Sequence, residues 1–506
     1  MARRAYGYRV PIILTAAVLA VAMVAMVGVI TIAVVRSRTA DRPQTTALPW
    51  PLPTQHPMGP LPPTDGSSQP VADPVYPGLG NPSIDVQHYK LALSWTPAQH
   101  RLVGTATLKI RIVRPVDGIG LDFAAALAVH TTTLDGRPVD AVRTGDDLFL
   151  PAEGPLGASS VVTALITYSG TPREASFPGT RKDVVGLGAM IAENDSIAAV
   201  QEPYGAFTWF PCNDQPSDKA LFDVTITAPA GWSGVSSGLL TATTVLDDGS
   251  TTFHWHGAQP SATYLLAFAV DRFERFDDTG PHGLPLTYWI RKEQTDQMLP
   301  VLRRTPVIIE WLEHRFGPYP FDSGGVVIVP NDVTSAMETQ TMISMGAIPG
   351  DLGGVVLAHE LAHQWFGDSI TPSTWRDLWL NEGFATYADM LYSVDFLERP
   401  QSDLIDSWHD ADRDARVLAG PPGNYDPTRF ASGNVYVGPA LMLHALRLRV
   451  GDPQFFAILH DWVQHHRYGT TNRAEFTRWL NAYVGQDLTP ILDLWLDATT
   501  TPDLPR

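Results

Sequence analysis

Two short stretches of the chain carry the pattern from which the rest is interpreted: His359-Glu360-Leu361-Ala362-His363 and Trp379-Leu380-Asn381-Glu382-Gly383. Residues four apart lie on one face of a helix, so both imidazoles of the first stretch can reach a single metal ion. Glu382 follows after eighteen intervening residues and adds a carboxylate, which completes the two-histidine, one-glutamate set of catalytic zinc. The sequence therefore predicts one zinc ion held by His359, His363 and Glu382.

The chemistry expected of this pattern is activation of water. The first stretch alone is weak evidence, because an ordinary helix face can place two histidines and a glutamate there by chance. With zinc bound, water becomes more acidic and a carbonyl is polarised. Glu360 could then take the proton of the water and pass it to a leaving amine. Asp389, seven residues after Glu382, could orient a ligand imidazole or could be a solvated helix carboxylate.

Composition limits the class of protein. The 506 residues are enough for two to three domains, and 44% hydrophobic with 17% charged residues is typical of a globular protein. The net charge of −18 argues against nucleic acid or an anionic membrane surface as the main partner. Cys212 is the single cysteine, so an intramolecular disulfide cannot form.

The amino-terminal region predicts a membrane anchor. After a short tail at residues 1–9, residues 10–35 form an apolar run without charge that is long enough to span a bilayer. The run exceeds the apolar part of a cleaved signal and is not followed by a small-x-small cleavage site. We therefore expect a transmembrane signal anchor, a single-pass membrane protein and an extracytoplasmic catalytic part. Arginines on both sides leave the orientation undecided by charge alone.

The rest of the chain divides by its pattern. Residues 36–83 are rich in proline, threonine, serine and glutamine, which predicts a disordered stalk. Apolar and polar residues alternate at residues 89–95 and 104–112, which predicts strands and an all-β domain over 84–275. Helical spacing then dominates 276–497, and 498–506 form a tail.

Several motifs resemble the M1 zinc aminopeptidases, a family that includes aminopeptidase N and leukotriene A4 hydrolase. The resemblance spans roughly residues 84–497. It rests on His359 to Asp368 with Trp375, on Trp379 to Tyr387, on Phe210-Pro211-Cys212-Asn213-Asp214-Gln215-Pro216-Ser217-Asp218-Lys219-Ala220, and on Thr263 to Phe268.

The resemblance implies a site for the amino group of a substrate. Ser335-Ala336-Met337-Glu338-Thr339 lies where the family has its GAMEN exopeptidase motif, so Glu338 is expected to bind the free α-amine. Glu202 matches a second amine-binding carboxylate from the amino-terminal domain. A desolvated ammonium needs anionic partners, and their position fixes cleavage after one residue. The expected substrates are therefore peptides with a free N-terminus.

A tyrosine is also implied. The family stabilises the oxyanion with a tyrosine hydroxyl in a YxKG motif, and Tyr436 falls at the corresponding place. The lysine and the glycine of that motif are replaced by Gly438 and Pro439. Pro439 could be the first residue of the following helix, which would keep the geometry. Tyr425 is the second candidate.

Together these features predict the fold class α+β, with an all-β amino-terminal domain, an α-rich thermolysin-like zinc peptidase domain and one preceding transmembrane helix. The function expected is a zinc aminopeptidase in a minimal two-domain form. Two alternatives stay open, a zinc endopeptidase and a catalytically silent membrane-tethered binding module. The preferred N-terminal residue and the oligomeric state are not determined by the sequence.

Overall fold

In the strands of the amino-terminal half, buried and exposed side chains alternate. The computed structural model describes residues 64–181, 184, 186–329 and 335–505. In the strand at Ile84–Thr96, Tyr89, Leu91 and Leu93 are buried whereas Lys90 and Ala92 are exposed. One face of the strand therefore packs on the core and the other meets solvent, as the alternation predicts.

Fifteen strands make up this half among the described residues. They are β1 Ile84–Thr96, β2 Arg101–Ile112, β3 Val116–Asp122, β4 Leu127–Leu134, β5 Arg137–Pro138, β6 Val142–Thr144, β7 Asp147–Leu156, β8 Val161–Gly170, β9 Gly188–Ile191, β10 Ile197–Val200, β11 Lys219–Ala228, β12 Ser233–Ser236, β13 Leu239–Val245, β14 Thr251–Ala262 and β15 Phe268–Asp271. The main sheet has the order β13-β14-β11-β1-β2-β8-β4-β5, with β1 parallel to β11 and antiparallel to β2. Two smaller sheets, β12-β15-β10-β9 and β3-β7-β6, complete the β domain.

The second half is rich in helices. Its strands are β16 Phe273–Thr279, β17 Pro285–Arg291, β18 Gly324–Ile328, β19 Ala336–Met337, β20 Ile343–Met345, β21 Thr371–Pro372 and β22 Thr470–Thr471. Its helices are α1 Thr295–Leu302, α2 Thr305–Phe316, α3 Gly350–His363, α4 Trp379–Leu397, α5 Gln401–Ala419, α6 Gly433–Val450, α7 Asp452–His466, α8 Arg473–Val484 and α9 Thr489–Asp497. The sheet has the order β16-β17-β18-β20-β19, and α3 packs against α4.

The close approach of α4 and α6 depends on one glycine. A Cβ atom at Gly383 would lie 2.7 Å from Cβ of Pro439, so a larger residue would push the two helices apart. Pro439 lies inside α6, which begins at Gly433, so the expectation that Pro439 is the first residue of a helix is wrong. Packing against α4 keeps the helix continuous although the proline lacks an N–H group.

Polar side chains attach the segment 64–83 to both halves. Ser68 Oγ donates to Asp85 Oδ1 at 2.7 Å and to Asp218 Oδ1 at 3.0 Å, both in the β domain. The backbone N–H of Trp375, in the α-rich half, donates to Asp73 Oδ2 at 2.7 Å. The halves also meet where Lys219 Nζ donates to the carbonyl of Asp368 at 2.7 Å.

The predicted fold class needs a correction. Residues 10–35, the expected transmembrane segment, lie outside the described residues. In the ranges that the structure describes, no helix is both long and apolar enough to cross a bilayer, because long helices such as α4 carry charged residues, Glu382 and Asp389 among them. The fold class is therefore corrected to a β domain followed by an α-rich domain, without the predicted membrane-spanning helix among the described residues, and the single-pass membrane location finds no support there. The predicted domain limits stay predictions.

Candidate active site

Helices α3 and α4 bring the three predicted zinc ligands together. Nε2 of His359 lies 3.2 Å from Nε2 of His363, because the two residues are one helical turn apart. Oε2 of Glu382, in the first turn of α4, lies 3.4 Å from each of these nitrogens. All three side chains are buried. The three residues therefore surround one small volume in the protein interior.

Hydrogen bonds behind the ligands fix which ring atoms face that volume. Nδ1 of His359 lies 3.2 Å from Oδ2 of Asp389, and Nδ1 of His363 lies 3.1 Å from the carbonyl oxygen of Phe366. Both partners accept hydrogen bonds, so Nδ1 carries the proton in each ring. The Nε2 lone pairs are then left to face each other. Asp389 thus lies where the sequence suggested an orienting carboxylate.

The convergence of acceptors fits a cation. The two Nε2 atoms and Oε2 of Glu382 lie within 4.8 Å of one another, and Oε2 makes no well-formed hydrogen bond to any described residue. A buried anion beside two lone pairs is unfavourable without a positive ion. Two imidazoles and a carboxylate are the donors of a catalytic zinc site, so these residues fit zinc.

Glu360 lies beside this group with a perturbed acidity. It is buried, and a carboxylate oxygen lies within 4.8 Å of ligand atoms of His363 and Glu338. Burial raises the pKa of Glu360 to about 7, with further raising by Glu338 and Glu382 and an opposing effect of the two histidines. A carboxyl group with a pKa near neutrality can both accept and release a proton at working pH.

Glu338 and Glu202 reach the site from different domains. Glu338 follows β19, and its carbonyl accepts a hydrogen bond from Nε2 of Gln364 at 3.1 Å. Glu202 follows β10, where the side chain of Gln201 is fixed by donating to the carbonyl of Leu266 at 2.9 Å. Oε1 of each glutamate is buried and has no hydrogen-bond partner within the described part of the chain.

The acidity of this pair is strongly perturbed. Burial raises the pKa of Glu202 well above its usual value, and the charge of Glu338 raises it further. Burial likewise raises the pKa of Glu338. Two buried carboxyl groups in one cleft disfavour ionisation of both, and a bound cation would relieve the repulsion between their ionised forms.

The two candidate tyrosines have different surroundings. The ring of Tyr436, on α6, lies nearly parallel to that of His359 with centroids 6.3 Å apart. Burial, and then the charge of Glu382, raise the pKa of Tyr436 well above its usual value. The hydroxyl of Tyr425 instead donates to the carbonyl of Trp375 at 2.7 Å. Tyr436 is thus the one of the two whose ring lies at the metal group.

Arg181 is a residue of the site that the sequence did not indicate. Its guanidinium NH1 donates to the hydroxyl of Tyr436 at 3.2 Å. Arg181 lies outside the helices and strands of the described residues, so neither helical nor strand spacing pointed to it. Its contact with Tyr436 joins residues 255 positions apart, which local patterns do not reveal.

Comparison with known proteins identifies the family of the chain. The model of the peptidase family M1 domain matches residues 351–495, and that of the peptidase M1 N-terminal domain matches residues 85–265. Among curated proteins, aminopeptidase A of Gloydius brevicauda is 27% identical over 59% of this chain and 34% of its own length. Glutamyl aminopeptidase of Sus scrofa is 33% identical over 40% of this chain and 23% of its own length. The chain thus spans about a third or less of the curated relatives that it matches.

The matches to solved structures cover a larger share of both chains than the matches to the curated proteins. The M1 zinc metallopeptidase of Deinococcus radiodurans has a TM-score of 0.75 and 30% identity, covering 87% of this chain and 99% of its own. A mutant of that protein bound to a Tyr-Ser-Ala substrate matches with the same TM-score and identity over 100% of its own chain. These matches confirm the predicted zinc metallopeptidase class and its zinc cofactor. The chain belongs to peptidase family M1.

Proposed function

We propose that the protein is a zinc-dependent aminopeptidase that hydrolyses the N-terminal peptide bond of peptides with a free amino group. The observation that carries this proposal is the pair of buried oxygens on Glu202 and Glu338, which lack partners among the described residues. An α-ammonium group supplies the positive charge and the hydrogen-bond donors that these oxygens lack. An endopeptidase would have no use for such a pair.

The position of the pair explains removal of a single residue. Glu338 lies close to both His363 and Glu360. A substrate whose amine is held there places its first carbonyl, two bonds from the nitrogen, at the metal group. Binding of the amine thus orients the scissile bond, which is a large part of the rate gain in such reactions.

Glu360 is assigned the proton transfers. When bound by His359, His363 and Glu382, zinc supplies Lewis-acid chemistry that polarises the carbonyl and makes water more acidic. Glu360 accepts the proton from the attacking water and gives it to the nitrogen of the leaving peptide. Its pKa of about 7 allows both steps near neutral pH.

Tyr436 is assigned to the oxyanion. Its ring lies beside that of His359, so its hydroxyl can donate a hydrogen bond to the carbonyl oxygen as negative charge develops. Tyr425 is less suited, since its hydroxyl already donates to Trp375. The names of the matched proteins are consistent with the proposal, because the curated relatives are aminopeptidases and the Deinococcus protein has been solved with a tripeptide substrate.

The test compares free and blocked peptides. A panel of aminoacyl amides is assayed with and without a chelator, together with one peptide in free and N-acetylated forms. We expect turnover of the free forms that is lost with the chelator and restored by zinc, and no cleavage of the acetylated peptide. Glu338→Gln should raise KM for the amides on the order of a hundredfold, since it weakens a charge-assisted contact. Exposed Glu310→Gln is the matched control.

Two outcomes would favour the alternatives. Equal cleavage of the free and the acetylated peptide would identify an endopeptidase. Absence of turnover from zinc-loaded protein across the panel and on longer free peptides would identify a binding module.

A further inference from the structure

Residues near Arg181 in the sequence make contacts on both sides of the interface between the two domains. Reciprocal backbone hydrogen bonds of 2.9 Å join Ala175 and Leu187 at the base of its stretch in the β domain. The neighbouring Thr180 accepts a hydrogen bond at 3.0 Å from Arg429, which belongs to the α-rich domain. Arg181 therefore reaches Tyr436 from a backbone that is anchored to both domains.

The hydrogen bond from Arg181 does not use the phenol proton of Tyr436. A tyrosine hydroxyl has one donor and can also accept, and the guanidinium of Arg181 cannot accept a hydrogen bond. The 3.2 Å contact therefore fills an acceptor position of the hydroxyl. The O–H bond is then directed away from Arg181. On the metal side the ring of Tyr436 lies nearly parallel to that of His359, at an angle of 25°.

Position 438 of helix α6, two residues after Tyr436, has no room for a side chain that could contact the Tyr436 hydroxyl. A Cβ atom at Gly438 would overlap Oδ1 of Asp412 and lie 2.9 Å from NH2 of Arg416. The space below Gly438 is thus filled by a fully buried ion pair in which Arg416 donates to Asp412 at 2.6 Å. Arg416 also donates to the carbonyl of Trp495 at 2.8 Å, away from the site. Contact with the hydroxyl of Tyr436 comes instead from the other domain.

We infer that Arg181 is a positioning residue that holds the hydroxyl of Tyr436 for hydrogen bonding to the substrate oxyanion. The inference rests on the role proposed above for Tyr436. A guanidinium that donates to the phenol oxygen restricts rotation of the hydroxyl, and its positive charge makes the phenol a stronger donor. Because the oxyanion exists only in the transition state, this contact affects turnover rather than substrate binding.

The test separates kcat from KM. We expect Arg181→Met to lower kcat on the order of tenfold on an aminoacyl amide, with KM changed by less than about twofold. Arg181→Lys should recover part of the loss, because an ammonium also donates and carries charge. A phosphinic dipeptide, which imitates the tetrahedral intermediate, should bind Arg181→Met about tenfold more weakly, whereas a free amino acid should bind it as it binds the unchanged protein.

A double-mutant cycle decides whether Arg181 acts through Tyr436. In a Tyr436→Phe background, Arg181→Met should change kcat by less than about twofold, because the hydroxyl that it positions is absent. Exposed Arg173→Met, on the same stretch, is the control for loss of charge. Zinc content is measured for every variant, so that a loss of metal is not mistaken for a loss of positioning.

Three results would overturn the inference. They are an equal effect of Arg181→Met with and without the Tyr436 hydroxyl, an effect confined to KM, and near-normal turnover of Tyr436→Phe. The proposed aminopeptidase activity would survive each of them, since it is tested separately by the acetylated peptide and by Glu338→Gln.

Discussion

Glu360 is a buried carboxyl group beside the zinc ligands, and burial raises its pKa to about 7. Glu360→Gln keeps the size of the side chain but cannot accept the proton of water. We expect kcat to fall about 10²- to 10⁴-fold, the usual contribution of general acid–base catalysis. Zinc content should be unchanged, because His359, His363 and Glu382 are intact. Steady-state assays on an aminoacyl amide and metal analysis of the same samples measure both quantities.

The control for this variant is exposed Glu310→Gln, which should keep normal turnover. If Glu360→Gln retained more than about a tenth of normal kcat, another group would have to move the proton. If it lost zinc as well as turnover, the carboxyl group would be acting on the metal site rather than on water.

We expect Asp389 to support zinc binding through His359, whose Nδ1 lies 3.2 Å from Oδ2 of Asp389. Asp389→Asn removes the anion that orients the imidazole and increases its basicity. We expect zinc affinity to fall about 10- to 100-fold. Competition with a fluorescent chelator measures this affinity, and exposed Asp406→Asn serves as the control. Equal affinity in all three proteins would mean that Asp389 is only a helix carboxylate.

The zinc ligands were predictable from sequence because helix geometry alone places residues four apart on one face. Glu202 could be assigned to the site only because the sequence resembles a known family. Arg181 was not predictable from either source, because its contact with Tyr436 crosses from one domain to the other. The spacing of residues along the sequence thus does not reveal contacts that form only when the two domains pack together.

Helical spacing in the sequence predicted α3 and α4. The start of α6 was predicted too late, at Pro439 instead of Gly433. A proline in a helical pattern usually marks a boundary, because it lacks an N–H group. Pro439 is instead packed against Gly383, with which it shares the contact between α6 and α4. Propensity is thus overridden by tertiary packing at the point that brings Tyr436 to the zinc ligands.

Asp122, at the end of β3, should make the stability of the folded protein depend on pH. Asp122 accepts hydrogen bonds from the backbone N–H groups of Asp214 at 2.8 Å and of Gly80 at 3.1 Å through Oδ2. Burial, and then the charge of Asp214, raise the pKa of Asp122 to about 7, from a model-peptide value of 3.8. Between these values the folded protein binds a proton that the unfolded chain does not. The stabilisation is therefore present below about pH 4 and is lost as pH rises through about 7.

Asp122→Asn removes this titration and keeps an oxygen that can accept both N–H groups. Relative to the unchanged protein, the variant should gain in melting temperature as pH rises from 5 to 8, because only the unchanged protein must bury a charge there. Thermal unfolding at fixed zinc concentration measures the difference at each pH. Exposed Asp140→Asn, in the same domain, is the control. A difference that stays constant over this range would contradict the raised pKa of Asp122.

The contacts that the segment 64–83 makes with both domains could not be predicted from its composition. Its proline-rich sequence with few large apolar side chains predicts a mobile stalk. The segment is attached through polar groups, such as the hydroxyl of Ser68 and the carboxylate of Asp73, as well as through the ring of Tyr76, which packs against Phe430. The polar groups reach residues far away in the sequence. Patterns of hydrophobic residues carry no information about such bonds. The same segment therefore joins the β domain to the α-rich domain that carries the zinc ligands.

Asp73 provides a direct test of this connection. Its Oδ2 accepts from the backbone N–H of Trp375 at 2.7 Å, and its Oδ1 accepts from Val75 within the segment at 2.6 Å. Asp73→Ala leaves the buried N–H of Trp375 without this acceptor, which costs about 1–3 kcal/mol. We expect amide exchange of the peptide containing Trp375 to become about 5- to 100-fold faster, as local opening becomes easier by that amount.

The matched control is Asp65→Ala, since exposed Asp65 accepts a hydrogen bond from Ser67 within the same segment. Hydrogen–deuterium exchange followed by mass spectrometry compares the two variants with the unchanged protein. In Asp65→Ala the peptide containing Trp375 should exchange at the normal rate. If both variants exchanged there equally fast, the segment would be acting through its general packing. If neither changed the rate, the bond between Asp73 and Trp375 would not limit opening of the α-rich domain at this point.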